Sequence, residues 1–106
     1  MPFDGKDFKI EPATVADVLI RARELIASPK RWCQGTEEDE EGRMCLRGAI
    51  INSGHTDFSP ILEARRLVER YTGGNITAFN DAPYRTHADV VAMLDRCIKI
   101  ARSYRR

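Results

Sequence analysis

The chain is 106 residues long and carries a formal charge of +1, the size of one domain. That near-neutral total hides two blocks: Glu37, Glu38, Asp39, Glu40 and Glu41 in one run, and Arg96, Lys99, Arg102, Arg105 and Arg106 in a C-terminal stretch without an acid. The balance excludes a uniformly basic nucleic-acid binder and a uniformly acidic solvating chain, and 42% hydrophobic with 31% charged residues is the composition of a globular domain.

No apolar run reaches the ~20 residues of a membrane helix. The first residues lack a basic segment followed by an apolar one, so no secretory signal is expected and the expected location is the cytoplasm. The three cysteines agree, because an odd number makes a poor disulfide framework. Residues 1–12 are expected to be an extension of a single domain over 1–106.

In chain order, Thr14 with Asp17 three residues on reads as a capping box. Behind it Val15, Val18, Leu19, Ala22, Leu25 and Ile26 recur at helical spacing. Pro29 stops this helix near Ser28. A second apolar strip, Ala16, Ile20 and Ala27, predicts that the helix is covered on more than one side. Ser28-Pro29 reads as N-cap and first position of a short helical turn closed by Gly35. The acidic stretch 36–43 has no apolar period and is expected to be a solvated loop.

Met44 to Ser53 is apolar almost all round, which predicts a short helix at the centre of the core, a buried strand being the alternative. Gly48-Ala49 favours a helix packed closely on a neighbour, with Gly54 as its C-cap. Ser59-Pro60 repeats the N-cap signal, and Ile61, Ala64, Leu67, Val68 and Tyr71 form the inner face up to Gly73-Gly74. Arg65, Arg66 and Arg70 point elsewhere. Asn75 to Phe79 reads as one helical turn capped by Asn75, and Asn80 to Pro83 as a loop. Thr86 with Asp89 makes a second capping pair. Val90, Met93, Leu94, Cys97, Ile98 and Ala101 then line the last helix, with Arg96, Lys99, Arg102 and Arg106 opposite. The fold class is all-α: a compact bundle of about four main helices plus short turns.

Three patches stand out: Trp32-Cys33-Gln34-Gly35, Gly42 to Ile50, and Phe79 to Thr86. Together they resemble an uncharacterised family of short bacterial and phage-borne proteins. Its pattern is W-x-Q-G, then G-x-x-C-x-x-G-A, then N-D-x-P-x-x-T before a final helix. The resemblance covers residues 14 to 102 and implies one domain and a bacterial or phage origin. It implies no activity. Trp32, Gln34, Gly35, Cys45, Gly48, Asn80, Asp81, Pro83 and Thr86 are the positions that match.

Cys45 is the sharpest catalytic candidate. A thiol near a helix N-terminus is activated by the dipole, His55 or His87 can serve as base, and Asn80 or Asp81 can orient that base. The neighbouring acids and the apolar surroundings argue instead for a buried structural cysteine. Cys33, Cys45, His55 and His87 lack the paired spacing of a metal site, and the Glu37 to Gly48 stretch fails as a calcium loop because Gly48 falls where a bidentate Glu belongs. No metal and no cofactor are expected.

Trp32, Gln34, Asn80 and Asp81 lie between helices. They are either a ligand site on loops or side chains that cap helix ends and satisfy loop backbone groups. Arg96, Lys99 and Arg102 can contact phosphates but lack interleaved aromatics and a recognition-helix signature. Segregated charge steers association, so the leading expectation is a non-enzymatic interaction module with a protein partner or a second copy. A cysteine-dependent hydrolase or transferase and a nucleic-acid binder are the alternatives.

Overall fold

The computed structural model describes residues 13–54 and 58–103. The N-terminal extension 1–12, His55, and Arg105 and Arg106 of the basic block lie outside the described residues. Five α-helices follow in order: α1 (Val15–Leu25), α2 (Leu46–Ile51), α3 (Phe58–Tyr71), α4 (Ile76–Asp81) and α5 (His87–Ser103), with a 3₁₀ turn at Pro29–Arg31. The described residues hold no strand, only isolated bridges pairing Trp32 and Glu38 with Met44. The expected all-α class is the observed one.

The cap chemistry read from sequence is present atom for atom. Thr14 Oγ1 accepts from the Asp17 N–H, and Asp17 Oδ2 accepts from the Thr14 N–H. Thr86 and Asp89 make the same reciprocal pair at the start of α5. Each pair satisfies amides that the first helical turn leaves without partners. Ser28 caps the 3₁₀ turn through the Lys30 N–H, as Ser28-Pro29 predicts. The turn ends at Arg31, four residues before Gly35.

α1 is the central helix. It packs against α2, α3 and α5, and Val18, Leu19, Ala22 and Ile26 have no exposed surface. Of the second apolar strip, Ala16 is buried and Ile20 is half-buried against the core, whereas Ala27 is exposed and lies past the end of the helix. α2 is shorter than the predicted Met44–Ser53 segment, but Leu46, Ala49 and Ile50 are wholly buried. The last helix turns Val90, Leu94, Cys97, Ile98 and Ala101 into the same core.

Two boundaries differ from expectation. α3 begins at Phe58, so Ser59 is inside the helix instead of capping it. Pro60 is tolerated there because a first-turn residue needs no intrahelical N–H bond. α4 runs through Asp81, so Asn80 and Asp81 form the last turn of a helix and not a loop. Composition favours a turn at Asn80-Asp81, but the tertiary hydrogen bonds described next outweigh that local preference. Pro83 then keeps Ala82 extended, at ψ 136°.

The acidic stretch faces solvent, as expected, yet it is held in place by its backbone. The Cys45 N–H donates to the Glu37 carbonyl (3.1 Å), the Asp39 N–H to the Arg43 carbonyl (2.9 Å), and the Cys33 N–H to the Met44 carbonyl (3.0 Å). Asp39 Oδ1 accepts from the amides of Glu41 and Arg43, while Oδ2 accepts from Arg43 Nε at 2.6 Å. Burial pushes the Asp39 carboxyl up, but these donors outweigh it and hold it below the ordinary aspartate value. Gly48 is the neighbour that lets the loop come this close. A Cβ there would lie 2.2 Å from the Glu37 carbonyl oxygen, inside any tolerable contact.

Candidate functional site

Asn80 is the meeting point of the three sequence patches. It has no exposed surface, and each of its four hydrogen-bonding positions is used. Its Oδ1 accepts from Trp32 Nε1 (2.7 Å) and from the Leu46 N–H (3.0 Å). Its Nδ2 donates to the Cys33 carbonyl (3.1 Å) and to Asp81 Oδ1 (2.8 Å). One carboxamide thereby joins the 3₁₀ segment, the start of α2 and the end of α4. Asn80 makes all of these bonds from the buried face of the last turn of α4, and they favour the helical conformation over the turn that its composition suggests.

The surrounding side chains complete the clasp. Gln34 Nε2 donates to the carbonyls of Asn80 (2.9 Å) and Ala82 (3.1 Å). Arg85 Nε donates to the Phe79 carbonyl (2.7 Å), and its guanidinium carbon lies 3.7 Å from the Phe79 ring centroid. A helix of six residues leaves most of its carbonyls without intrahelical donors, and Gln34 and Arg85 supply them at the C-terminal end of α4. Asp81 Oδ1 also accepts the Gly35 N–H at 3.0 Å. Gly35 takes φ +89°, the left-handed region that suits glycine. Trp32, Gln34, Asn80 and Asp81 are thus brought together, with polar atoms directed at one another.

The cysteine candidate is placed differently. Cys45 is the N-cap of α2, and its sulfur accepts the Gly48 N–H at 3.3 Å. It is 3% exposed. Burial pushes its thiol up, and nearby Asp81 adds to this, while the α2 amides work the other way. A thiol held above its ordinary value carries little thiolate at neutral pH. His87, the described base candidate, is turned to another task. Its Nε2 meets the Ile26 carbonyl at 2.7 Å, a group that only accepts, so this nitrogen carries the proton and caps the end of α1. Its ring centroid lies 6.1 Å from that of Trp32. Among the described residues it makes no hydrogen bond to Cys45. Cys97 lies deeper still, pushed up to about 11 by burial. Among the described residues no group of three His, Cys, Asp or Glu side chains is arranged to hold a metal ion.

Arg96, Lys99 and Arg102 are exposed on α5. Arg96 spreads over the Tyr71 ring at 4.7 Å from its centroid, which joins α5 to the end of α3. Arg66 and Arg70 are exposed on α3 and border a groove with Val15, Glu63 and Leu67. Helical periodicity separates these two from the core face without attaching them to the α5 stripe. Their i, i+4 spacing was the available signal, and the Arg96–Tyr71 contact is the part that required the structure.

Ion pairing divides the basic residues of the helices and loops into two groups; besides these, Lys30 and Arg31 of the 3₁₀ turn are exposed and without an ion pair among the described residues. Arg21, Arg23, Arg43, Arg47, Arg65 and Arg85 each hold a carboxylate. Arg66, Arg70, Arg96, Lys99 and Arg102 form no ion pair among the described residues. No helix there is long and apolar enough to cross a membrane.

Comparison with known proteins gives a family and no activity. Residues 10–100 match the model of a family of unknown function (DUF6197), in keeping with the uncharacterised family that the three patches resemble. No curated protein and no solved structure matches the chain.

Proposed function

We propose that this chain, which belongs to the family of unknown function DUF6197, is a non-enzymatic interaction module. Its partner is a protein, reached through the basic surface that α3 and α5 share. The observation that carries this reading is the division of charge just described. Six arginines are paired with carboxylates, while Arg66, Arg70, Arg96, Lys99 and Arg102 are exposed without one. Unpaired surface charge raises encounter rates with an opposite surface and selects against like-charged ones.

The polar residues that suggested catalysis support the reading by being occupied. Asn80 has no free hydrogen-bonding position, and burial holds the Cys45 thiol up. A phage or mobile-element accessory protein or inhibitor, acting on a host protein in the cytoplasm, fits this reading. Self-association is the variant in which Glu38 and Glu40 of one copy, exposed and without an ion pair among the described residues, meet the basic surface of the next.

The same surface favours nucleic acid as a second reading, since phosphates bind unpaired arginines. One experiment separates the readings. The tagged protein is used as bait in a bacterial extract, with and without nuclease, alongside a variant carrying Ala at Arg66, Arg70, Arg96, Lys99 and Arg102. The protein-partner reading expects a retained protein, insensitive to nuclease and lost in the variant. Retention that nuclease abolishes would move the function to nucleic acid. Retention undiminished in the variant would refute the basic surface as the contact.

A further inference from the structure

A second group of arginines lies elsewhere, where α2, α3 and the start of α4 come together. Arg47 of α2 and Arg65 of α3 line one cleft of about 280 Å³, together with Glu69, Gly74, Asn75 and Thr77. Its walls are almost wholly polar. The volume is at the lower edge of the ~300–1,000 Å³ usual for small-molecule sites, so the cleft suits a small ligand and not a nucleotide-sized one.

The donors in this cleft are underused. Arg65 Nε is sealed from solvent and has no hydrogen-bond acceptor. Its counter-ion, Glu69 Oε2, stands 3.5 Å away. A buried guanidinium N–H without an acceptor is rare, because nearly all buried polar groups find a partner. Arg47 is paired with Glu37 through Nη1, and a guanidinium has five N–H donors in all. Asn75 Oδ1 accepts the Ala78 N–H at 2.9 Å, which leaves its NH₂ without a partner among the described residues. Thr77 contributes an exposed residue at the rim.

We infer that this cleft binds a phosphate-type oxyanion, either free phosphate or the phosphate of a small phosphomonoester, between Arg47 and Arg65. Two planar guanidinium forks match the edges of a tetrahedral oxyanion, and charge-assisted pairs of this geometry are the strong ones. Each arginine holds one carboxylate, Arg47 that of Glu37 and Arg65 that of Glu69, so an oxyanion enters by competing with them and by taking the guanidinium donors they leave unused. The Arg65–Glu69 pair is about one-third exposed at each partner, and such pairs hold weakly. An oxyanion with better geometry displaces Glu69 from Arg65 and fills the orphaned donor. This inference is independent of the α3/α5 surface.

The test follows the backbone amides of Gly74 to Thr77 by NMR during titration. Inorganic phosphate and glycerol phosphate are added in parallel, against sodium chloride at matched ionic strength. One saturable site is expected for at least one phosphate form, weakened about ten-fold or more by Arg47→Gln and by Arg65→Gln, each of which removes a charge-assisted contact. Arg96→Gln, on the other surface, leaves binding unchanged. Tighter binding of the ester identifies a phosphorylated small molecule, and tighter binding of phosphate identifies the free ion. If Arg65→Gln does not fold, Arg47→Gln decides alone. Shifts reproduced by chloride, or an equal loss in Arg96→Gln, overturn the inference.

Discussion

The clasp around Asn80 and the basic surface on α3 and α5 are both polar, and they are built on opposite terms. At the clasp each polar atom of a buried side chain has a partner within the chain. On the surface, five cations have no carboxylate among the described residues. Buried polar groups without partners are costly, so the interior selects for closed networks. Exposed charge costs almost nothing to leave open, so open charge there is available to something outside the molecule. A set of polar residues that looks like a site in sequence can therefore be structural.

The strongest way to break this contrast is Asn80→Ala. It leaves the Trp32 Nε1–H, the Leu46 N–H and the Cys33 carbonyl without their partner and opens a buried space. We expect a loss of about 3–5 kcal/mol in urea unfolding, a large share of the roughly 5–15 kcal/mol available to a domain. A loss below about 1 kcal/mol would mean that the clasp is not holding the fold. In contrast, Ala at Arg96 or Lys99 should stay within about 0.5 kcal/mol of wild type, as surface substitutions do.

Gly48→Ala comes next, at about 1–3 kcal/mol or more, because the added methyl meets the Glu37 backbone and not a flexible side chain. The Cys45 amide, which donates to that same carbonyl, should lose hydrogen-exchange protection in the variant. Unchanged protection would show that the loop is held by something other than this bond. Trp32→Phe sharpens the comparison more gently. It removes one of two donors to Asn80 Oδ1 and leaves the Leu46 N–H in place, for a cost of about 1 kcal/mol.

The smallest expected effect is on pH dependence. The folded Asp39 carboxyl titrates below its ordinary value of 3.8, so the unfolded chain binds more protons in between. Its stabilisation is complete above that value and is lost as pH falls through the folded one. Asp39→Asn should flatten part of the acid limb of a thermal-midpoint profile. Asp89, shifted the same way chiefly by its bond to the Thr86 amide, keeps the remainder. An identical acid limb in the variant would remove Asp39 from the account.

Local chemistry was legible in the sequence and distant chemistry was not. Thr14 with Asp17 and Thr86 with Asp89 contact residues three positions away, so their spacing announces them. The buried face of α1 follows from its period. The end of α4 was misplaced because Asn80-Asp81 has turn composition, and what makes it helical is Trp32, Cys33, Gln34 and Leu46 brought from far along the chain. The anchoring of the acidic stretch was hidden for a related reason. It is carried by backbone groups of Glu37, Asp39 and Cys45, which a side-chain pattern does not display. Gly48 was the visible trace: its place in a core helix implied a close neighbour without saying which. On α5 the basic stripe was legible, whereas the stacking of Arg96 on Tyr71 of α3 depends on how two helices pack.

The central claim is that the Asn80 carboxamide is committed to the fold. Hydrogen exchange of its Nδ2 protons, followed by NMR across a urea series, tests this most directly. The account predicts exchange only through global unfolding, with a free energy and urea dependence equal to those of the slowest core amides. Fast exchange, independent of urea, would show a clasp that opens to solvent in the native state and would return Trp32, Asn80 and Asp81 to the list of residues available for a ligand.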